Sequence, residues 1–300
     1  MLKLILIITL GAPDIGAMEA AYSQWLGYTV EVHGKVDKDL ASAWAAPAMA
    51  GRPYVLMQPE SKAKIYLRFV QVDAADGYVP MKTFGWNAIE IMVKDPDELA
   101  ERLAKPGSPF EIIGPPRPLG PNSPIRAMQV VGPAKEVLYL TRIPPRADDP
   151  SVGARTFVDR PFILIVGGPR LDGLRDFYGT TFGAKVSPPG QARMTVLNKA
   201  HGFDIETTHP LSVARISAQY SIEMDGYPDT AMPRPTKKEE LPPAIASVSF
   251  EVDALDGLKV PLLAKPQKVA AAPYSGRRVA MTRGAAGELV ELVESSAAVK

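Results

Sequence analysis

The sequence predicts an α+β fold of four βαβββ modules arranged as two similar halves. Three observations predict it. Leu6–Val30 lies without a gap on Phe162–Val186, at an offset of 156 residues that matches Gly11 with Gly167, Pro13 with Pro169, Tyr22 with Tyr178 and Gly27 with Gly183. Such internal repetition decides a fold before any local signal does. The rest of each half repeats with shifted offsets. Leu103-Ala104-Lys105-Pro106 recurs at 263–266, and Pro121-x-Ser123-x-x-Arg126 recurs as Pro273-x-Ser275-x-x-Arg278. Gly132, Glu136, Leu138 and Leu140 meet Gly284, Glu288, Val290 and Leu292. Each half also mixes short, strand-length apolar runs with short helical patterns.

The elements follow in order. Leu4–Leu10 has strand length, and Gly-x-Pro then ends the strand and opens a helix. Met18, Ala21, Tyr22 and Trp25 give that helix one apolar face, and Gly27 stands where a C-terminal cap belongs. Lys3 before this apolar run resembles a secretion signal. Its recurrence at Phe162–Val166 makes it a strand instead. Thr29–Val32, Arg52–Met57 and Ile65–Val72 complete the first module. Asn87–Val93 alternates, Asp95-Pro96-Asp97 opens a helix, and strands near Phe110–Ile113, Ala127–Val131 and Val137–Arg142 follow. Residues 146–160 read as a linker between domains 1–145 and 161–300, because they are rich in proline and aspartate without periodicity. The second half predicts strands at Phe162–Val166, Ala184–Val186, Met194–Leu197, Phe203–Thr207, Ile216–Met224, Ala246–Val252, Arg278–Met281 and Glu288–Val293. A helix is predicted over Asp253–Leu263. Pro228–Pro243 is a polar, proline-rich insertion, predicted to be a mobile surface loop or a lid.

Composition bounds the function. Three hundred residues suit two domains with their own cores. A net charge of +1 gives no electrostatic case for nucleic acid or an anionic membrane. Without cysteine there is no disulfide, thiolate metal site or cysteine nucleophile, which fits a cytoplasmic protein. Phosphate-binding glycine loops and nucleophile elbows are also missing.

Four βαβββ units, the Phe177-Tyr178-x-x-x-Phe182-Gly183 stretch and the terminal Gly287-Glu288-Leu289-Val290-Glu291-Leu292 resemble the vicinal oxygen chelate superfamily of glyoxalases, bleomycin-resistance proteins and extradiol dioxygenases. The resemblance implies two glyoxalase-like domains with curved mixed sheets. It also implies a metal held inside each cup by His or Glu from first strands and Glu from last strands. Those slots fall at Ile7, Ala88 and Tyr139 in the first half and at Ile163, Ser247 and Glu291 in the second. Only Glu291 is a metal-binding type, and one carboxylate does not hold a divalent ion. His201, Asp204 and His209 are the remaining cluster. His201 and His209 read as the two ends of one strand, roughly 25 Å apart, which argues against a rebuilt metal site. No metal and no cofactor is therefore expected.

Two function classes stay open. In the first, Glu291 is a general acid or base in the apolar cup of the second half, while Tyr139, in the matching slot of the first half, donates a hydrogen bond and Glu90 points into that first cup. Metal-independent isomerase or lyase chemistry on a small apolar or aromatic carbonyl compound then follows. The alternative for Glu291 is an ordinary ion pair with Arg278 or Arg283. The second class is a drug- or metabolite-binding protein, with the aromatics Trp86, Tyr66, Tyr139 and Tyr220, together with Ser247, lining the cups. Arg126 and Arg278 either clamp a ligand anion or pin the loop before their strand. The expected assembly is a monomer with an internal pseudo-dimer, or a homodimer.

Overall fold

The computed structural model describes residues 2–145 and 152–296; most of the expected linker's first half, 146–151, lies outside them. The first module runs β1 (Ile5–Ala12), α1 (Ile15–Leu26), β2 (Thr29–Lys35), α2 (Lys38–Ala43), β3 (Pro53–Gln58) and β4 (Tyr66–Gln71). The second runs β5 (Gly85–Val93), α3 (Pro96–Leu103), β6 (Glu111–Pro118), β7 (Arg126–Val131) and β8 (Val137–Arg142). The third holds β9 (Val158–Gly168), α4 (Leu171–Asp176), β10 (Lys185–Val186), β11 (Gly190–Arg193), α5 (Thr195–His201), β12 (Thr208–Arg215) and β13 (Ser221–Gly226). The fourth holds β14 (Ala244–Val252), β15 (Gln267–Val269), β16 (Arg277–Arg283) and β17 (Leu289–Glu294).

Local chemistry explains the helix ends. The Asp14 carboxylate accepts from Ala17 N at 2.9 Å, and Gly27 closes α1 at φ 71°. Asp95 accepts from Asp97 N and Glu98 N, with Pro96 in the first turn of α3.

The strands form two curled mixed sheets, so the predicted α+β architecture holds. One is ordered β15-β16-β17-β14-β1-β4-β3-β2. The other is β10-β12-β13-β9-β5-β8-β7-β6, with β11 added to β12. Each sheet therefore joins modules from opposite halves: the first with the fourth, and the second with the third. This corrects the reading of 1–145 and 161–300 as self-contained domains. β1 pairs in parallel with β4 on one edge and antiparallel with β14 on the other, and β5 stands likewise between β8 and β9. A single half would leave those second edges unpaired.

Within each half a repeated bond packs the modules back to back. Tyr22 donates to Glu136 and Tyr178 donates to Glu288, both at 2.9 Å and fully buried. The largest apolar cluster, with Tyr22, Trp86, Tyr178 and Phe250, fills the space between the sheets and helices, while two smaller clusters lie on the concave faces.

Four expectations fail for identifiable reasons. Met194–Leu197 and Phe203–Thr207 are not strands. The first opens α5, and the second is a turn held by Asn198 Nδ2, which donates to the carbonyls of Ile205 and Thr207. A short apolar run does not distinguish helix from strand. Asp253–Leu263 forms turns around Gly257 (φ 82°) before Pro261, not a helix. The 228–243 insertion is an anchored strap. Met232 exchanges backbone bonds with Lys82 and Phe84, and Glu240 pairs with Arg52 at 3.1 Å. No described helix is long and apolar enough to cross a membrane.

Candidate functional site

The two concave faces are built alike and filled differently. Equivalent positions follow from the strand register. Thr9 on β1 pairs with Arg68 on β4, and Ser249 on β14 pairs with Glu291 on β17. In the other sheet Ile165, 156 residues beyond Thr9, pairs with Glu223 on β13, and Glu90 on β5 pairs with Tyr139 on β8. Thr9, Arg68, Ser249 and Glu291 in the first face thus correspond to Ile165, Glu223, Glu90 and Tyr139 in the second.

The first face is plugged. Glu291 is 0 % exposed and receives Trp44 Nε1 at 3.1 Å, the Tyr274 hydroxyl at 2.5 Å, Arg68 Nη2 at 3.3 Å and the Ser249 hydroxyl. Arg68, 1 % exposed, also donates to Thr9 Oγ1 at 2.7 and 3.1 Å and to the Tyr274 hydroxyl at 2.6 Å. Its guanidinium lies 4.6 Å from the centre of the Trp44 ring. Burial pulls the Arg68 pKa down, but Tyr274 and Glu291 outweigh it, so Arg68 stays charged. Ile7 and Ser247 lie on this face with no exposure. Glu291 is therefore neither a lone carboxylate nor a partner of Arg278 or Arg283; Arg68 holds it.

The second face lacks both fillers. Trp44 is the C-cap of α2, and the C-cap of α5 is Gly202. Tyr274 stands between Pro273 and Ser275, and the matching residue between Pro121 and Ser123 is Asn122, which is exposed. Tyr139, Ile163 and Glu223 accordingly keep partial exposure. A separate groove of about 600 Å³ lies between Arg117–Pro121 and Ala192, Arg193, Glu206 and Thr208, and none of Glu90, Tyr139, Glu223 and Asp225 lines it. Arg117 crosses its rim to donate to Thr195 Oγ1 at 2.7 Å.

Carboxyl groups dominate this face. Glu90, 7 % exposed, accepts from Thr141 Oγ1 at 2.6 Å. Burial pushes its pKa up to about 8; Thr141 opposes and Glu223 adds. Burial also raises Glu223. Asp225, two residues along the same strand and so on the same face, is raised well above the usual carboxylate range by burial and by Glu223. Burial, then Asp225, Glu223 and Glu90, keep the Tyr139 phenol neutral.

The other expected residues lie elsewhere. Trp86 points between the sheets, donating from Nε1 to the Leu289 carbonyl at 2.8 Å. Tyr66 packs at the rim of the filled face, and Tyr220 belongs to the inter-sheet cluster. Arg126 clamps Asp97 at 2.6 and 2.9 Å, and Arg278 clamps Asp256 at 2.7 and 2.8 Å, so both pin surface segments to their sheets. His201 and His209 are not ends of one strand. His201 closes α5 and bonds Thr230 and the Met81 carbonyl, while His209 on β12 bonds Asn198 Oδ1 at 2.6 Å. The reading of the sequence missed Arg68, Trp44, Tyr274, Glu223 and Asp225. The alternation Ser221-Ile222-Glu223-Met224-Asp225 was the one signal that put two acids on one face.

The residues do not fit the metal that this kind of cup implies. Arg68 puts a cation into the first face, and among the described residues no three His, Asp or Glu side chains converge as metal ligands.

No family profile matches the chain. No curated protein matches it. Among solved structures, glyoxalase I from Zea mays matches 97% of this chain and 92% of its own, with a TM-score of 0.64 and 14% identity. A putative dioxygenase from Bacillus subtilis matches 98% of this chain and 85% of its own, with a TM-score of 0.61 and 10% identity. At these identities the likeness establishes the architecture: the chain has the vicinal oxygen chelate fold.

Proposed function

We propose that the second concave face carries out metal-independent proton transfer on a small organic carbonyl compound, of the isomerase or lyase type. The observation that supports this reading most is Glu90, a carboxyl that keeps its proton to about pH 8 on a partly open face beside a second acid, Glu223. Two acids in different settings divide the roles of acid and base. Glu223, in its ionised form, removes the proton α to the carbonyl. Glu90 gives its proton to the carbonyl oxygen, producing an enol that the Tyr139 hydroxyl steadies by a hydrogen bond. Glu223 returns its proton to a different carbon of the enol while the ionised Glu90 takes back a hydroxyl proton of the enol, which completes an isomerisation and restores both acids. Ile163, Ile165 and Ala88 on the same face supply the apolar wall.

The test is deuterium exchange. α-Hydroxyketones and aryl ketones are incubated with the protein in D₂O, and the loss of the α-proton signal is followed by NMR. The wild type exchanges the proton. Glu90→Gln slows exchange by about a hundredfold or more while the folded state persists. Binding of the same compounds without exchange would identify a binding protein instead.

A further inference from the structure

We infer that the second concave face takes a small organic cation, an ammonium group carried on an apolar or aromatic body, held by Glu223 and Asp225 against the rings of Tyr139 and Tyr227. This names the ligand class of the site proposed above and rests on that reading of which face is open.

The comparison of the two faces carries the argument. In the first, the carboxylate of Glu291 is matched by a built-in guanidinium on the partner strand. At the same register in the second, Glu223 replaces that arginine, so the face gains an acid where its counterpart has a base. Glu90 receives only a hydroxyl, from Thr141. Asp225 is 2 % exposed, and its Oδ1 has no hydrogen-bond partner among the described residues. A buried carboxyl oxygen without a donor is uncommon in native proteins and marks a group awaiting a partner. Its strand neighbour on the face is Gly167, and the Tyr227 ring lies over that glycine, where an added Cβ would stand 2.5 Å from the ring. Burial raises both phenols and Asp225 raises them further, so Tyr139 and Tyr227 lie within electrostatic reach of that carboxyl. Acid, orphaned oxygen and two aromatic rings together form the environment that recognises an organic ammonium. A metal ion fits less well, because these carboxyls do not converge as ligands. Two basic side chains act on these rings, Arg117 on Tyr139 and Arg234 on Tyr227; the first is directed to Thr195 and the second to Thr83 and the carbonyls of Trp86 and Ile245.

A matched series separates charge from shape: benzylammonium, benzyl alcohol and benzoate, titrated by calorimetry against the full chain. Benzylammonium binds at least tenfold more tightly than benzyl alcohol, and benzoate does not bind. Asp225→Asn and Glu223→Gln each erase that preference while leaving thermal stability equal or higher. Equal binding of the alcohol or benzoate overturns the inference, as does no binding of benzylammonium at millimolar concentration. Unchanged preference in both variants, or displacement of benzylammonium by Mg²⁺ or Mn²⁺, does so too. Failure here leaves the exchange assay with neutral ketones intact. Failure of the exchange assay leaves this preference measurable in a non-catalytic protein.

Discussion

At the scale of the residue, one exchange separates the two faces: Arg68 in the first stands where Glu223 stands in the second. Arg68→Met removes the one cation that faces the buried Glu291 and should destabilise the chain by about 3–5 kcal/mol in denaturant melts. Replacing Glu291 by Leu in the same chain should recover most of that loss. A loss below about 1 kcal/mol for the single variant would mean that the pair is not dry. Glu90 was legible in the sequence because its strand alternates, and Glu291 because it falls in the last-strand slot that the family resemblance implies. Arg68 was not, since nothing local links position 68 to position 291; β1 and β14 join their strands. The raised Glu90 carboxyl also sets a pH limit. The deuterium exchange should fall as pH rises through about 8, because the acid form is lost.

At the scale of the element, the repeat gave the strand–helix units their ends. Gly27 and Gly183 both take the left-handed conformation, at φ 71° and 68°. No atom lies within 4 Å of a Cβ added at Gly27, so Gly27→Ala tests the backbone alone. It should cost about 1–2 kcal/mol, seen as a lower melting temperature. An unchanged melting temperature would contradict the capping role. The elements that escaped the sequence are those that tertiary contacts decide. α5 folds because Val196 and Leu197 cover the second face, and the turn after it holds because Asn198 ties it down. Module four has turns where its siblings have a helix, and a Leu-Ala-Lys-Pro motif shared with α3 concealed that loss.

At the scale of the molecule, the halves seen in the sequence are packing units and the sheets are shared between them. Residues 1–145 made alone should dimerise or aggregate, because the edges of β1 and β5 lose their partners. A well-folded monomer by size-exclusion chromatography would contradict this. Stability should also fall as pH rises from 5 to 8. Glu90, Glu136 and Glu288 hold protons to about 8, 7 and 7 when folded, mainly because they are buried, against a usual 4.5. Above pH 4.5 the unfolded chain binds fewer protons than the folded one. Each group then removes up to about 1.4 kcal/mol per pH unit until its folded carboxyl ionises. Glu136→Gln should flatten the profile of denaturation midpoint against pH; an unchanged slope would contradict the assignment.

The claim beneath all of this is that one face is sealed and the other works. The direct measurement is α-proton exchange in D₂O by Glu90→Gln and Glu291→Gln, normalised to folded protein. The account predicts that Glu90→Gln loses exchange, while Glu291→Gln is less stable yet exchanges at the wild-type rate. Loss of exchange in Glu291→Gln, with wild-type exchange in Glu90→Gln, would place the chemistry in the face described here as filled.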